Sequence, residues 1–506
     1  MTGALLTGAS PASADTVDLV LHDPVDRSGP VDGCDVPLCA RLLERIEQAE
    51  ESVDFALYGV RRQTAIVQAL KDAQERGVVV RGVVDRDGAG VSYYSGTNTL
   101  KQSFKTIRDD YNYEVEHLRS TSHRGAKKYV PPCRAPEGFD GPVQCLGYDL
   151  GDRCLISAQA ARERFPFQVG VIMHHKFMVI DKAAVWTGST NLSDSGTGGY
   201  NANLITLIDH PKVAEWYTHE FEQMWVQDRY HEDKLSSGLK ELDLEGGDRL
   251  EVLFSPQDRP ISSRVRPLIQ NATASIDVAV FFLTHKGITQ DLLEAKQRGV
   301  RVRVIMDATG ASNEYSKHDL LRVGGVPVKV EDWGGKMHAK SAMIDGQVVI
   351  TGSMNWTGAG EGGNDENTVL LYSKSKSSEY RAWFDTLWNR LPERWLQGRP
   401  DPESNESMTA CTDGADNDFD GRVDEGDAGC GDKPPVLQAS PPVSLVLKED
   451  GHGLVKGVRD TEGNPVYLTE TMRSYDDAVV HKGQGEEWFC SEADARTQGY
   501  RKYVED

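Results

Sequence analysis

The stretch MHHKFMVIDKAAVWTGSTN (173–191) is answered later in the chain by MHAKSAMIDGQVVITGSMN (337–355). Both read H-x-K-x4-D-x6-G-S-x-N without slippage. The first copy supplies His174, Lys176, Asp181, Gly188, Ser189 and Asn191, and the second His338, Lys340, Asp345, Gly352, Ser353 and Asn355. His and Lys two residues apart share one face of a β-strand. The apolar run that follows reads as a second strand ending in a turn, where glycine lets the chain approach a ligand closely. A lone histidine on a strand is usually a satisfied structural residue, and a lone G-S-x-N is a turn. A long spacing met twice overturns that reading for the His, Lys and Asn pairs. His175 points to the other face by alternation and is expected to be structural. Asp181 and Asp345, at the strand ends, are candidate site residues that could equally hold the turns.

The repeat extends outward from the two motifs. DLVLHDP (18–24) answers LEVLFSP (250–256), and SVDFALYGV (52–60) answers SIDVAVFFL (275–283). ALKDAQERGVVVRGVVDRDG (69–88) answers LLEAKQRGVRVRVIMDATG (292–310). Near-continuous Val/Ile/Leu strands alternating with helices indicate sheets covered on both faces, hence an α/β class. Five segments are expected: a tail or signal remnant over 1–15, a first lobe over 16–235, a second over 236–396, a linker with an Asp-rich loop over 397–435, and a small α+β module over 436–506. From Asp85 to His174 is 89 residues but from Asp307 to His338 only 31, which places an insertion at about 98–165. Its start, 101–128, has seven basic and four acidic residues and could form a positive rim or a solvated excursion.

The 506 residues exceed one compact core, and 39% apolar with 26% charged residues is ordinary globular composition. The net charge of −22 is concentrated at 401–430, with ten acidic residues against Arg422 alone. It argues only weakly about substrate. No apolar run is long enough to cross a bilayer. The N-terminal MTGALLTGASPASADTV resembles the end of a secretory signal without its basic leader. Eight cysteines, none in C-x-x-C spacing, suit disulfides in an oxidising compartment. The expectation is a secreted or periplasmic bacterial protein. CTDGADNDFDGRVDEGDAGC (411–430) has the alternating oxygen ligands and turn glycine of an EF-hand loop at Asp416, Asp418, Asp420, Gly421, Asp424 and Asp427. The last position departs, being Asp rather than Glu. Cys411 and Cys430 would staple the loop. It resembles the Asp-rich, Cys-flanked repeats of secreted bacterial proteins and thrombospondin type 3 repeats, so structural or regulatory Ca2+ is expected there.

Two His, two Lys and two Asn suit a phosphodiester. One imidazole attacks phosphorus and forms a phosphohistidine; the other protonates the leaving alcohol and then activates water. Lysines, amides and the hydroxyls of Ser189 and Ser353 hold the non-bridging oxygens, so the chemistry requires no cofactor.

At these residues the chain resembles the phospholipase D superfamily, over about 16–395. The resemblance implies two α/β/α sandwich lobes with mixed sheets related by a pseudo-twofold axis, a monomer with an internal pseudo-dimer. It also implies a nucleophile at His174 and an acid at His338. Family members often place a carboxylate after the G-S-x-N turn to orient the opposite histidine. Glu366 in GGNDENTVL fits that place and is expected to support His174. The aligned position in GGYNANLI is Ala202, flanked by Asn201 and Asn203, which leaves the orienter of His338 unidentified. Three functions follow: a phospholipase D acting on phospholipid at a membrane surface, slightly favoured; a metal-independent endonuclease acting on nucleic acid; and, third, a non-catalytic phosphate-binding protein.

Overall fold

The paired Val/Ile/Leu runs form two mixed β-sheets, one per repeat. The computed structural model describes residues 16–121 and 171–431 apart from 25–27, 88–89 and 314, the strands 143–150, 153–160 and 443–447, and most of 455–504. The first sheet has seven strands, in the order Thr16–His22, Asn203–Asp209, Ala184–Gly188, Lys176–Ile180, Ser52–Leu57, Val79–Val84 and Ile107–Asp109. The second repeats that order as Arg249–Ser255, Glu366–Tyr372, Val348–Gly352, Lys340–Ile344, Ser275–Val280, Arg301–Met306 and Val328–Val330, with Glu241–Asp243 added at one edge. In each sheet the motif strand runs antiparallel to its inner neighbour, which in turn runs parallel to the next.

Helices cover both faces. Pro37–Gln48 and Thr64–Glu75 bury Leu38, Leu42, Ile46, Ile66 and Leu70 against one face of the first sheet. Lys286–Gln297 does the same for the second sheet. The inner faces are covered by Pro211–Trp225 and Lys374–Arg390, whose Tyr217, Phe221, Tyr380 and Phe384 enter one apolar cluster drawn from both lobes. Tyr217 meets Phe254 of the other lobe edge-on, ring centroids 5.1 Å apart. The lobes therefore share a core, and hydrophobic burial fixes their mutual placement.

Main chain also crosses between the lobes, twice and symmetrically. Met173 bridges to Asp365 and Met337 to Ala202. Each bridge lies one residue before a motif histidine.

Two boundaries differ from the sequence expectation. The helix Gly96–Ser103 and the strand Ile107–Asp109 belong to the first lobe, because that strand pairs with Val79–Val84 as Val328–Val330 pairs with Arg301–Met306. Three residues are too short to show a strand period, which is why the insertion was placed too early. Of the rest of the insertion, the described parts are the helix Tyr111–Thr121 and a hairpin, Val143–Leu150 with Arg153–Ala160. Its outer edge pairs with Val443–Leu447, a strand expected in the C-terminal module. What remains of that module is a four-stranded sheet with the helix Glu492–Thr497. Disulfides join Cys34 to Cys39 and Cys411 to Cys430. Cys133 and Cys490, and the side chains of Cys145 and Cys154, lie outside the described residues.

Candidate active site

Each motif histidine sits at the entry to its strand, on backbone held by a buried carboxylate. Asp85 accepts the amide of Met173 at 2.8 Å, and Asp307 that of Met337 at 2.9 Å. The histidine amides cross to the other lobe: His174 N–H donates to the Asp365 carbonyl (3.0 Å) and His338 N–H to the Ala202 carbonyl (2.9 Å). The lysines turn back, Lys176 Nζ and Lys340 Nζ each donating at 2.7 Å to the carbonyl of the histidine two residues before.

The imidazoles are also held from across the interface. His174 Nδ1 meets both carboxylate oxygens of Glu366, at 2.8 and 2.9 Å. With Nδ1–H directed at a carboxylate, Nε2 carries the free lone pair. Ser353 Oγ donates to Glu366 at 2.7 Å, and Asn364 Nδ2 at 3.2 Å. The mirrored contact joins His338 Nδ1 to Asn203 Oδ1 at 3.1 Å, with Ser189 Oγ donating to the same oxygen at 2.9 Å. Asn203, not Ala202, thus occupies the place of Glu366. The register settles it: Gly188 pairs with Ile205 and Gly352 with Thr368, so Asn203 and Glu366 both lie two residues before the partner. The first repeat has one more residue between its motif Asn and this position, and aligning on the shared Gly-Gly displaced the reading by one.

Burial dominates the electrostatics. His174, Lys176, His338 and Lys340 are each no more than 7% exposed. Desolvation pulls both histidines well below the usual imidazole range, and Lys176 and Lys340 pull them further. Lys176 falls to about 7, chiefly by burial, and Lys340 falls well below its ordinary value by burial and by the charge of Lys176. Glu366 rises to about 7 for the same reason, with Lys176 pulling the other way. Two buried ammonium groups from opposite lobes, close enough to repel, make a site that gains stability when an anion enters.

The sequence profile of the family described as "Cardiolipin synthase, PLD-like domain" matches residues 42–129, 148–225 and 265–388, more than half of the chain. The chain belongs to the phospholipase D superfamily. A mitochondrial cardiolipin hydrolase of Chlamydomonas reinhardtii is 35% identical over 127 residues, 25% of this chain and 57% of that protein. A phospholipase D of Rickettsia prowazekii is 32% identical over 117 residues, 23% of this chain and 57% of that protein. The chain thus spans a little over half the length of each of these relatives. The solved structure of Nuc from Salmonella typhimurium, described as a phospholipase D family member, is 27% identical, with a TM-score of 0.27, over 29% of this chain and 97% of that one.

Not every motif residue of this superfamily chain lies at the site. Asp181 and Asp345 are corrected: each lies just past the far end of its five-residue strand, seven residues from its histidine. Asp181 accepts the amides of Glu50, Glu51 and Ser52, and Asp345 those of Thr273, Ala274 and Ser275, so both staple a turn. Ser189 and Ser353 are corrected too, since their hydroxyls hold the orienters Asn203 and Glu366. The glycines before them serve packing: a Cβ on Gly188 (φ 154°) would lie 2.3 Å from the Leu204 carbonyl oxygen, and one on Gly352 (φ 143°) 2.2 Å from that of Asn367. Asn191 Nδ2 donates to Tyr94 Oη at 3.0 Å, while Oδ1 of Asn191 and of Asn355 are buried without a hydrogen-bond partner among the described residues. His175 bonds Glu220 at 3.0 Å on the face covered by Pro211–Trp225, away from His174, as alternation requires.

Tyr58 and Phe281 were missed as site residues. Tyr58 stands edge-on to His174 (4.9 Å between centroids) and Phe281 beside His338 (5.1 Å). They occupy equivalent places in SVDFALYGV and SIDVAVFFL, so the repeat alignment already paired them. In the Asp-rich loop, Asp416 and Asp418 converge with Glu403, and Asp418 with Asp420 and Asp427. Asp424 differs from expectation, its carboxylate accepting the amides of Asp413 and Gly414. Glu403 lay outside the loop pattern and carried no sequence signal.

The lysine shift has a measurable sign. With Lys176 at about 7 in the fold and near ~10.4 when unfolded, the unfolded chain binds more protons between those values, so stability rises with pH across that window. Lys176→Met removes the burial cost of the charge. The variant should melt about 3–8 °C above the parent at pH ~7, with the gap closing towards pH ~10. A parent more stable than the variant at neutral pH would show that the site tolerates the bare charge.

Proposed function

We propose that the chain is a phosphodiesterase of phospholipase D type that hydrolyses the head-group ester of glycerophospholipids, and transfers the phosphatidyl group to alcohols, through a phosphohistidine. The observation that carries this is the pair of buried lysines from opposite lobes, Lys176 and Lys340, beside two held histidines, with the Glu366 carboxylate bonded to His174. A diester phosphate adds a negative charge between the two lysines. His174 Nε2 attacks phosphorus in line, the P–O bond to the leaving alcohol breaks, and His338 gives that oxygen a proton. Glu366 stabilises the cationic phosphorylated imidazole. His338, now neutral, takes a proton from water, whose oxygen displaces His174. Lys176, Lys340, Asn191 and Asn355 hold the non-bridging oxygens. The bound anion offsets the two ammonium charges, which raises the proton affinity of His338 in the complex.

Lipid is favoured over nucleic acid by the rim. Val91 and Tyr93 are 59% and 57% exposed, and Tyr93 stacks on Tyr58 beside His174. Phe419, 51% exposed, lies against Lys336, two residues before His338. Such apolar groups suit an acyl-bearing surface better than a polyanion. The basic segment is partly engaged elsewhere: Lys101 pairs with Asp109, and Arg108 stacks on Trp225 at 4.6 Å. The names of the curated relatives, a cardiolipin hydrolase and a phospholipase D, lean the same way. Two disulfides suit a secreted or periplasmic location. Ca2+ is assigned to the loop at Asp416, Asp418, Asp420 and Asp427 with Glu403, in a structural or regulatory role.

Purified protein in EGTA, given phosphatidylcholine vesicles and, separately, plasmid DNA, should release choline and leave the plasmid intact. Nicked DNA without choline release would assign the site to a nuclease. Any stimulation by Ca2+ should vanish in Asp416→Ala/Asp418→Ala with the unstimulated rate unchanged. A variant that keeps full calcium sensitivity would exclude the loop as its source.

A further inference from the structure

Behind His174, on the side away from the substrate, lies a buried group of side chains that the reaction does not use. Asp110 lies between the short strand Ile107–Asp109 and the helix Tyr111–Thr121, and Glu114 follows four residues later, in the first turn of that helix. His231 comes from the segment after the helix Pro211–Trp225. The exposures of Asp110, Glu114 and His231 are 1%, 3% and 1%. His231 Nε2 lies 3.4 Å from Asp110 Oδ2 and 3.8 Å from Glu114 Oε1. None of these three atoms has a hydrogen-bond partner among the described residues. The three converge within 4.8 Å of one another.

The other lobe shows what this position does when it is only structural. There Glu331 stands where Asp110 stands. One oxygen accepts the Ala308 amide at 2.9 Å, as Asp110 accepts that of Arg86 at 2.7 Å. The second oxygen of Glu331 accepts the Trp333 amide at 3.1 Å. The second oxygen of Asp110 is instead left facing an imidazole nitrogen and another carboxylate. Buried polar atoms without partners are costly, and three converging on one point call for a ligand.

We propose that Asp110, Glu114 and His231 bind a divalent first-row transition-metal ion, Zn2+ being the natural probe, through Asp110 Oδ2, Glu114 Oε1 and His231 Nε2, with water completing the shell. Ligands ~2.0–2.1 Å from zinc at a tetrahedral angle stand about 3.3–3.4 Å apart, close to the observed spacing. Asp365 Oδ2 lies 3.4 Å from His231 Nδ1, the place of the carboxylate that commonly orients a metal-bound imidazole. Charge argues the same way. Asp110, Glu114, Asp365 and Glu220 are all buried here, and Lys234, paired with Glu220 and Asp365, is the buried ammonium set among them. The ion is structural rather than catalytic. Asp365 gives its carbonyl to His174 N–H and its Oδ1 to His231 N–H, so the site braces the backbone beneath the nucleophile.

The test is metal content of the full-length chain, stripped with dipicolinate, kept folded by circular dichroism, and titrated with Zn2+ or Co2+. About one ion per chain should bind, and Co2+ should give the intense visible bands of a low-coordinate N/O site. His231→Gln and Glu114→Gln should weaken Zn2+ binding by more than ~100-fold, beyond the loss expected for an outer-shell partner. Asp416→Ala/Asp418→Ala should leave it unchanged, which separates this site from the Asp-rich loop. Should either Gln variant fail to fold, the stripped parent decides. If the parent takes up no Zn2+, gives only the pale spectrum of hydrated Co2+, or loses its uptake in the loop variant, His231 is an imidazolium held among carboxylates and the proposal fails.

Discussion

Each motif histidine is carried by one lobe and held by the other, and the rest of the site depends on that exchange. His174 belongs to the first repeat, but its ring is fixed by Glu366 and its amide by Asp365. His338 belongs to the second, but Asn203 and Ala202 perform those tasks. The crossings work only if the sheets meet in one register. The shared apolar cluster, with Phe177, Tyr217, Phe254, Tyr380 and Phe384 between the sheets, supplies that rigidity. Burying two lysines at such a junction is unfavourable on its own. The fold tolerates it because core packing elsewhere is extensive, and in the proposed reaction the unfavourable term becomes affinity for a diester anion.

The pseudo-twofold axis relates places, not chemistries. At one position the first repeat has Asn203 and the second Glu366. A neutral amide and a carboxylate behind otherwise matched imidazoles give the two rings different work. The ring backed by the carboxylate is the better one to carry a phosphoryl group and its positive charge, because only a carboxylate neutralises that charge. Tyr58 against Phe281 adds a second asymmetry, a hydroxyl-bearing wall beside His174 and an apolar one beside His338.

Much of this was legible in the amino-acid sequence, for identifiable reasons. Strands covered on both faces leave unbroken apolar runs, so the paired segments from 52–60 and 275–283 outward disclosed two matching sheets. Alternation along a strand placed His174 with Lys176 and set His175 apart. What escaped detection was non-local or sub-periodic. One extra residue before Asn203 hid the orienter of His338, because spacing in a loop carries no period. The strand Ile107–Asp109 was too short to register. The pairing of Arg153–Ala160 with Val443–Leu447 joins segments nearly three hundred residues apart and leaves no local trace. Asp181 and Asp345 share the motif without sharing the pocket, since a spacing shows that a residue recurs but not that it faces substrate.

The central claim is that His174, backed by Glu366, forms the covalent intermediate. It is tested most directly by rapid quench of the enzyme in alkaline denaturant during turnover of a phosphodiester labelled at phosphorus, with peptide mapping of the retained label at high pH. The account predicts a base-stable, acid-labile phosphoryl group on His174, absent from His174→Ala and retained in His338→Ala, whose leaving-group step is slowed but whose nucleophile is intact. Label on His338, or its loss in His338→Ala alone, would contradict the account and reverse the roles of the two lobes.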